Sequence, residues 1–540
     1  MNGATLSTHA RASIREALAR EVFDLVIIGG GITGAGLARD AALRGLSVAL
    51  LEAADFASGT SSRSSKLIHG GLRYLERGEV NLVRKTALEC KEIYRAAPHL
   101  SEPRWMVMPM AGRTALYSLR LAVTTYERLG AVDRHEVHRA WTGSTLAEQE
   151  PALDRKRFPH ALAYREYLTD DARLVIANVR AAAEAGAQIL NHAPVIRLLR
   201  SGERATGVEA RCSISAEQFA VRGRVIVNAA GPWVEAVQRL ENPEAAPFLH
   251  LSKGVHISIP ASKLPVRNLL VLNTEDRRRI FALRRGEVVY VGTTDTTYEP
   301  GAEIWPKIEA EDVDYLLEPV ARYFTCGPIG REDVVGAWAG LRPLIADPTK
   351  KNPSELSRRD ELLFGPLGVL SIAGGKLTGY RGMARRVLET IAERLGRPLP
   401  EPADEPPLPG GDFDGDLDAL AGRLAAAHQL ELETAARLAR LFGAEAEQVL
   451  ALGAQPVRAG SRCVDGEVRW AVEREGAATL EDLIYRRTRL PLYDLDARAL
   501  IEPLAQRMGE VLGWDDARRA EEIAHMQQRL DEDLEFRALP

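Results

Sequence analysis

The chain has 540 residues, 46% hydrophobic and 27% charged, and 70 basic against 75 acidic side chains leave a formal net charge of −5. That length predicts about three or four domains with ample core, and the ordinary composition excludes a disordered or collagenous chain. The charge balance argues against a basic sheath for nucleic acid, and no apolar run of about 18 residues is present to span a bilayer. Cys90, Cys212, Cys326 and Cys463 include no CxxC pair, so a disulfide framework, a zinc ribbon and an iron–sulfur cluster are not expected, which fits a reducing compartment.

Residues 1–22 carry Arg11, Arg15 and Arg20 but no apolar segment, and read as a frayed or helical extension rather than a secretory signal. Residues 23–28 are an apolar run without alternation, the pattern of a strand buried on both faces. It ends in Gly29-Gly30-Gly31-Ile32-Thr33-Gly34, followed by a helical stretch to about residue 43 and a second buried strand at 47–52. This is a βαβ unit. A serine-rich loop at 58–66 leads into His69-Gly70-Gly71, a helix at 79–97 and a mixed stretch at 102–167. A helix is predicted at 171–185, ended by Gly186, with strands at 188–190, 193–200, 205–210 and 225–231. Short strands alternate with turns from 255 to 298, an antiparallel pattern. A late buried strand at 369–373 runs into Gly374-Gly375 and a helix to about 395. Residues 397–415, dense in Pro, Gly and acid, read as a linker, and 416–540 as a separate helical domain.

Gly29-x-Gly31-x-x-Gly34 between a strand and a helix, with Glu52 ending the next strand, is the dinucleotide fingerprint. Gly29 permits the tight turn, Gly31 lets the backbone approach a pyrophosphate, and Gly34 lets helix and strand pack closely. The helix N-terminus offers free N–H groups to the phosphates, and the Glu52 carboxylate can accept from ribose hydroxyls. NAD and FAD share this fingerprint. FAD is favoured by the motif's place at the N-terminus, by the late strand with its own Gly-Gly turn, and by the small hydroxyl side chains of 58–65.

Residues 60–76 (TSSRSSKLIHGGLRYLE) resemble the FAD-dependent glycerol-3-phosphate dehydrogenases of the aerobic, quinone-linked type. The resemblance continues in Asp170-Asp171-Ala172-Arg173, Asn228-Ala229-Ala230-Gly231-Pro232-Trp233, Lys253-Gly254-Val255-His256, Gly292-Thr293-Thr294-Asp295, Gly340-Leu341-Arg342-Pro343 and Gly374-Gly375-Lys376-Leu377-Thr378, in family order. It implies an α/β fold: a Rossmann-type (GR2/DAO-like) FAD-binding domain with an inserted antiparallel substrate domain, plus an all-helical C-terminal cap. The expected divisions are an extension at 1–22, an oxidoreductase region at 23–404, a linker at 405–415 and the helical domain at 416–540. Within the oxidoreductase region, FAD-binding segments are expected at about 23–100, 165–250 and 335–400, and substrate-binding segments at about 101–164 and 251–334.

The resemblance implies sn-glycerol 3-phosphate as substrate, a small dianion with a secondary alcohol. Arg73, Arg342 and Lys376 stand in the blocks that carry anion-binding cations, and Tyr74 can add a hydroxyl donor. His69, before two glycines, is the first candidate for the base that takes the hydroxyl proton; His256 is the competitor, as base or substrate contact. The expected cofactor contacts at the first turn are Gly29, Gly31, Thr33, Gly34 and Glu52. Thr60, Ser61, Ser62, Ser65, Lys66, Leu67 and His69 follow in the serine-rich loop. Val195, Ala230, Gly231 and Trp233 come from the middle of the chain, and Gly375, Lys376, Leu377 and Thr378 from the late turn.

No metal is expected. Asp412-x-Asp414-x-Asp416 resembles a calcium loop superficially, but Leu417 and Arg423 stand where Gly and Glu are needed. The lone Cys463 in the C-terminal region argues against the anaerobic branch of the family. A membrane quinone as acceptor implies peripheral attachment at the cytoplasmic face of the membrane, through Arg277-Arg278-Arg279 beside Ile280 and Phe281, or through 113–139 with Leu116, Tyr117 and Leu121. A homodimer is expected from the same resemblance. An oxygen-using oxidase, a flavin oxidase of another small substrate and a non-catalytic flavin-fold scaffold remain as alternatives.

Overall fold

A computed structural model describes residues 6–70, 80–130, 132, 136–347, 360–402 and 405–538. Eight strands build a first sheet: β1 (Val22–Ile28), β2 (Val48–Leu51), β7 (Gln188–Leu190), β8 (Val195–Ser201), β9 (Arg204–Arg211), β10 (Gln218–Asn228), β17 (Asp360–Phe364) and β18 (Leu370–Gly374). The order β17-β18-β10-β1-β2-β7 is parallel from β18 to β7, with β17 antiparallel at the edge and the β8–β9 ribbon running off β10. The apolar runs of β1 and β2 are continuous because both faces are covered. On one face α2 (Ile32–Leu43) packs with helices Asp171–Glu184 and Tyr380–Leu395, burying Leu25, Ile27, Ala38, Leu50, Val175 and Val387 together. On the other, α1 (Arg11–Arg20) lays Ile14 and Leu18 over Phe23, Val26 and Ile226. The N-terminal extension is therefore a packed helix.

The second sheet has ten strands: β3 (Leu67–Ile68), β4 (Ser101–Met110), β5 (Arg139–Thr142), β6 (His160–Thr169), β11 (Leu249–Pro260), β12 (Leu269–Asn273), β13 (Arg279–Arg285), β14 (Val288–Gly292), β15 (Thr296–Thr297) and β16 (Gly336–Ile345). Its pairs are antiparallel apart from β12 with β4. Alternation sorts the side chains. Val255, Ile257 and Ile259 of β11 join Ala337 and Ala339 of β16 under helix Ala310–Tyr323. The opposite face meets the first sheet's loops and, at its far end, α3 (Val80–Ala96) and α4 (Arg113–Leu129). One expected boundary moves. β16 pairs with β11 from Leu249↔Ile345 to Ser258↔Gly336, so the chain returns to the first sheet after residue 345 rather than at 335. The Gly-Leu-Arg-Pro block that was read only as a motif is the body of this strand.

The C-terminal region is helical, with Leu417–His428, Leu432–Phe442, Ala446–Leu452, Asp465–Glu475, Ile501–Leu512 and Asp516–Glu532 around two apolar clusters. The segment read as a linker is pinned in place. Leu408 is buried and its N–H donates to Ala96 O (2.8 Å), while Gly410 and Gly443 cross so closely that a Cβ at Gly443 would lie 2.0 Å from Gly410 O.

Buried charge fixes the helical region to the rest. Arg486 Nε donates to Asp55 (2.5 Å), and Arg487 donates through both terminal nitrogens to the two Asp55 oxygens (2.7 and 2.9 Å). Arg489 Nη2 donates to Asp171 Oδ1 (2.8 Å), and Arg173 meets Glu475 through two bonds of 2.6 and 2.7 Å. Asp482 accepts from Arg486 (2.8 Å) and sits 2.9 Å from His192 Nε2. Asp55, His192 and Asp482 bring possible ligand atoms within 4.8 Å of one another, but the guanidinium groups already neutralise both carboxylates, so the cluster reads as an ion network. Among the described residues no helix is long and apolar enough to cross a membrane, and the four cysteines are free.

Two outcomes follow. Leu18→Ala, at a fully buried position of α1, should cost about 2–5 kcal/mol, read as a lowered thermal midpoint of the purified protein. Arg487→Ala removes two hydrogen bonds from the buried Asp55, which keeps Arg486 and Asn191, and should cost about 1.5–3 kcal/mol in the same measurement.

Candidate functional site

The parallel strands β18, β10 and β1 end side by side, so three glycine-bearing turns separated by hundreds of residues converge at one edge of the sheet. That edge, outside the carboxyl ends of parallel strands, is where α/β folds bind ligands. At the end of β1, Gly29 has φ +112°, and a Cβ there would stand 2.6 Å from Ala229 O. A Cβ at Gly34 would fall 2.0 Å from Gly29 O, so the start of α2 closes directly on the turn. Gly31 is different: a Cβ would meet only Ser61 Oγ at 3.1 Å and Ser61 Cβ at 4.0 Å, which leaves its backbone open on the ligand side. Ile32 N donates to Ser61 Oγ (3.0 Å), and Thr33 stands half-buried in the same first turn.

Glu52, at the end of β2, accepts from Gly30 N (2.6 Å) and Ala54 N (2.9 Å). Burial pushes its carboxyl up, against those two amides. Its backbone joins Leu190 O and Ala193 N, which carries the chain into Val195 at the start of β8. After β10, Ala230 and Gly231 (φ +56°) open the turn Gly231–Trp233, and the Trp233 ring lies where a Cβ on Gly59 would be 2.7 Å away. After β18, Gly374 and Gly375 take φ +76° and +92°. Lys376 then caps the turn Leu377–Gly379, in which Thr378 is buried, ahead of helix Tyr380–Leu395.

The serine-rich loop lies between this edge and the open face of the second sheet. There β11 and β16 present a row of paired residues: Ser252 with Arg342, Gly254 with Gly340, His256 with Trp338. The row is stitched to the loop. Thr60 Oγ1 donates to Leu341 O (2.5 Å), Tyr290 OH to Ser65 O (3.0 Å) and Trp338 Nε1 to Ser64 O (3.3 Å). The backbone of Gly340 packs on Arg63, where a Cβ would meet the arginine's Cβ at 2.7 Å. Arg342, half-buried, spans Thr293 Oγ1 (3.0 Å), Thr294 O (3.2 and 3.3 Å) and Asp295 Oδ1 (3.3 Å).

His256 is 1% exposed, stacks on Trp338 (centroids 4.8 Å, planes 9° apart) and holds Nε2 2.9 Å from Ser65 Oγ. Its ring also covers Gly292, where a Cβ would be 2.1 Å from it. Burial, then the Lys66 and Arg342 charges, push its pKa well below the usual imidazole value, so it is neutral. The enclosed imidazole thus holds the loop through Ser65.

Lys66, expected among the cofactor contacts, is anchored inside the protein through its side chain. Its side chain is fully buried, with Nζ donating to Ser62 O (2.9 Å) and to Asp171 (3.2 and 3.3 Å), 4.6 Å over the Trp338 ring. Burial pulls its pKa down to about 7 against the attraction of Asp171. The amino group is thus engaged with Ser62 and Asp171 within the protein. Leu67 points into the apolar cluster with Met106 and Leu162. Ser62 carries a structural carbonyl shared by Lys66 and Arg489 (3.3 Å). His69 follows β3, half-buried, with the Gly70 amide behind it; Arg73 and Tyr74 lie outside the described residues.

Asp171 holds this loop: its carboxylate accepts from Ser64 N (3.1 Å), Ser64 Oγ (2.7 Å), Lys66 and Arg489. It had entered only as part of a motif, and Arg486, Arg487 and Arg489 had not entered at all. Three arginines within four positions, between Leu483-Ile484 and Leu490-Pro491-Leu492, were the available signal, since cations in an apolar run demand buried partners.

The glycine cradle, the helix start beneath Ser61 and the carboxylate at the end of β2 together fit the diphosphate and ribose of a flavin dinucleotide. Residues 24–381 match the family described as FAD dependent oxidoreductase, and 402–519 match the C-terminal domain of alpha-glycerophosphate oxidase. The aerobic glycerol-3-phosphate dehydrogenase of Staphylococcus saprophyticus is 36% identical over 546 aligned positions, covering 98% of each chain. That of Staphylococcus haemolyticus is 39% identical over 458, covering 82% of each. The crystal structure of a glycerol-3-phosphate dehydrogenase from Bacillus halodurans complexed with FAD superposes with a TM-score of 0.81 at 30% identity, covering 98% of this chain and 99% of that one. The chain thus belongs to the FAD-dependent oxidoreductases and, within them, to the family of the aerobic glycerol-3-phosphate dehydrogenases, with FAD as its cofactor.

Proposed function

We propose that the chain oxidises sn-glycerol 3-phosphate to dihydroxyacetone phosphate and delivers the electrons to a membrane quinone. The observation that carries the reading is Arg342, a guanidinium on the open face of the second sheet, next to Leu341, whose carbonyl takes the Thr60 hydroxyl of the cofactor loop. A planar fork at that place suits a phosphate, and the names of the relatives supply the same substrate.

FAD supplies the hydride acceptor for the substrate carbon. The chain's residues do the rest. Arg342 is held in one orientation by Thr293, Thr294 and Asp295, so little side-chain freedom is lost when an anion arrives. Lys376 stands at the turn after β18, and Arg73 and Tyr74 complete the anion set in this reading. His69 takes the hydroxyl proton; the closure of His256 between Trp338 and Ser65 supports that order of the two histidines.

Peripheral attachment is supported by α4, whose Tyr117 and Leu121 are 65% and 73% exposed and alternate with exposed Arg113, Arg120 and Arg128. The other candidate loses its apolar half, because Ile280 is fully buried in the second sheet and Phe281 is partly covered. The homodimer belongs to the same proposal and is read by light scattering.

Anaerobic addition of glycerol 3-phosphate should bleach the flavin absorbance, and a quinone analogue should restore it faster than oxygen does; an unbleached flavin overturns the substrate, and faster recovery with oxygen overturns the acceptor. Arg342→Leu should raise KM about 10- to 100-fold, the loss of one or two charge-assisted bonds. His69→Asn should slow flavin reduction in stopped flow about 10²- to 10⁴-fold with little change in substrate affinity. Leu121→Glu should reduce co-flotation with anionic vesicles while leaving the flavin spectrum unchanged.

A further inference from the structure

Alternate residues of β6 point into one apolar cluster. Leu162, Tyr164 and Leu168 lie there with Met106, Val123 and Tyr126. The residue between Tyr164 and Leu168 on that face is Glu166, and it is 2% exposed. A carboxyl in such a row needs partners, and among the described residues it has two. Tyr126 OH, from α4, donates to Oε1 (2.8 Å), and Gly70 N donates to Oε2 (3.4 Å). The same Gly70 N–H also reaches Tyr126 OH (3.2 Å). The approach is close enough that a Cβ on Gly70 would be 2.2 Å from that hydroxyl. The pairing of β3 with β6 runs from Leu67↔Leu168 to Ile68↔Tyr167, which leaves His69 one residue past its end and Glu166 next to the last paired residue of β6.

We propose that Glu166 is a positioning residue: an uncharged carboxylic acid that, with Tyr126, holds the Gly70 amide and so the turn that carries His69, and whose deprotonation opposes the binding of a phosphate dianion. The inference rests on the substrate and the base given under Proposed function. Among the described residues no cation meets this carboxyl. A buried carboxylate is normally met by a cation or by several amides, whereas this one meets a phenol and one long amide bond. Burial pushes the Glu166 carboxyl up to about 8, against the pull of Tyr126 and Gly70. The ionisable groups that face it are neutral too. Tyr126 from α4 and Cys90 from α3 are raised well above their ordinary values by burial, and Tyr167 of its own strand is also raised. Tyr164 lies beside Tyr126, and Lys376 and Glu89 act on Cys90. Below about pH 8 the carboxyl is uncharged; above it, an anion appears beside the Gly70 amide, one residue from His69.

The test uses the holoenzyme. KM for glycerol 3-phosphate should rise about tenfold between roughly pH 7 and pH 9, as the carboxyl ionises and the substrate stays a dianion. Glu166→Gln keeps one acceptor oxygen, for Tyr126, and cannot ionise, so its KM should stay flat over that range. Glu166→Leu removes the acceptor and should lower kcat, which Gln should restore. An infrared carbonyl band of a protonated carboxylic acid, lost near pH 8 and missing from Glu166→Gln, reads the same group without turnover. The proposal is overturned if the Gln enzyme keeps the wild-type rise in KM, if the Leu enzyme keeps wild-type kcat, or if no such band distinguishes the two proteins. Should glycerol 3-phosphate fail to bleach the wild-type flavin, the substrate reading falls, and the infrared titration still decides whether this carboxyl is held neutral.

Discussion

Asp171 is the anion on which the site depends. It sits fully buried at the start of helix Asp171–Glu184 and gathers three partners that are remote in sequence: the Ser64 hydroxyl and amide, the Lys66 ammonium and the Arg489 guanidinium. Each would be costly to bury alone, and together they leave few polar atoms unsatisfied. The consequence is geometric. The serine-rich loop is held from below by Asp171 and from the side by Thr60, Ser64 and Ser65, which reach the backbone or side chains of β11, β14 and β16. Its upper surface is then free to face the ends of β1, β10 and β18.

Asp55 repeats this arrangement at the other end of the cofactor edge. It lies three residues past Glu52 and is clamped by Arg486, Arg487 and the amide of Asn191. One turn of the helical region and the residue after it, Asp482–Arg489, therefore contribute the charges that fix both the loop after β2 and the serine-rich loop. The π-helical winding of that turn brings Arg486 and Arg487 to bear on the same aspartate.

What could be read from the sequence was local. The glycine turn needs only neighbours within a few residues to specify it, and the buried strands announce themselves by unbroken apolar runs. The site's walls were less legible. Arg342 was named as a cation, but that it shares a face with His256 and Trp338 follows from the β11–β16 register, which joins positions far apart in the chain. Lys66 is expected at the cofactor from its serine-rich loop, but the carboxylate that holds its side chain is 105 residues away. The glycine- and proline-rich strap at 405–415 looked flexible by composition, yet Gly410 is there because the backbone of Gly443 passes against it. In each case the missing information was a tertiary contact, which composition cannot carry.

The two matched regions of the chain divide near residue 400, as if catalytic body and helical cap were separable. The ion network crosses that division. Asp55 and Arg487 are 432 residues apart in the chain, and Asp171 and Arg489 are 318 apart. A body cut at that division would keep the buried Asp55 and Asp171 and lose the arginines that neutralise them. The division between the two matched regions is thus one of sequence alone, and the buried charge belongs to both sides at once.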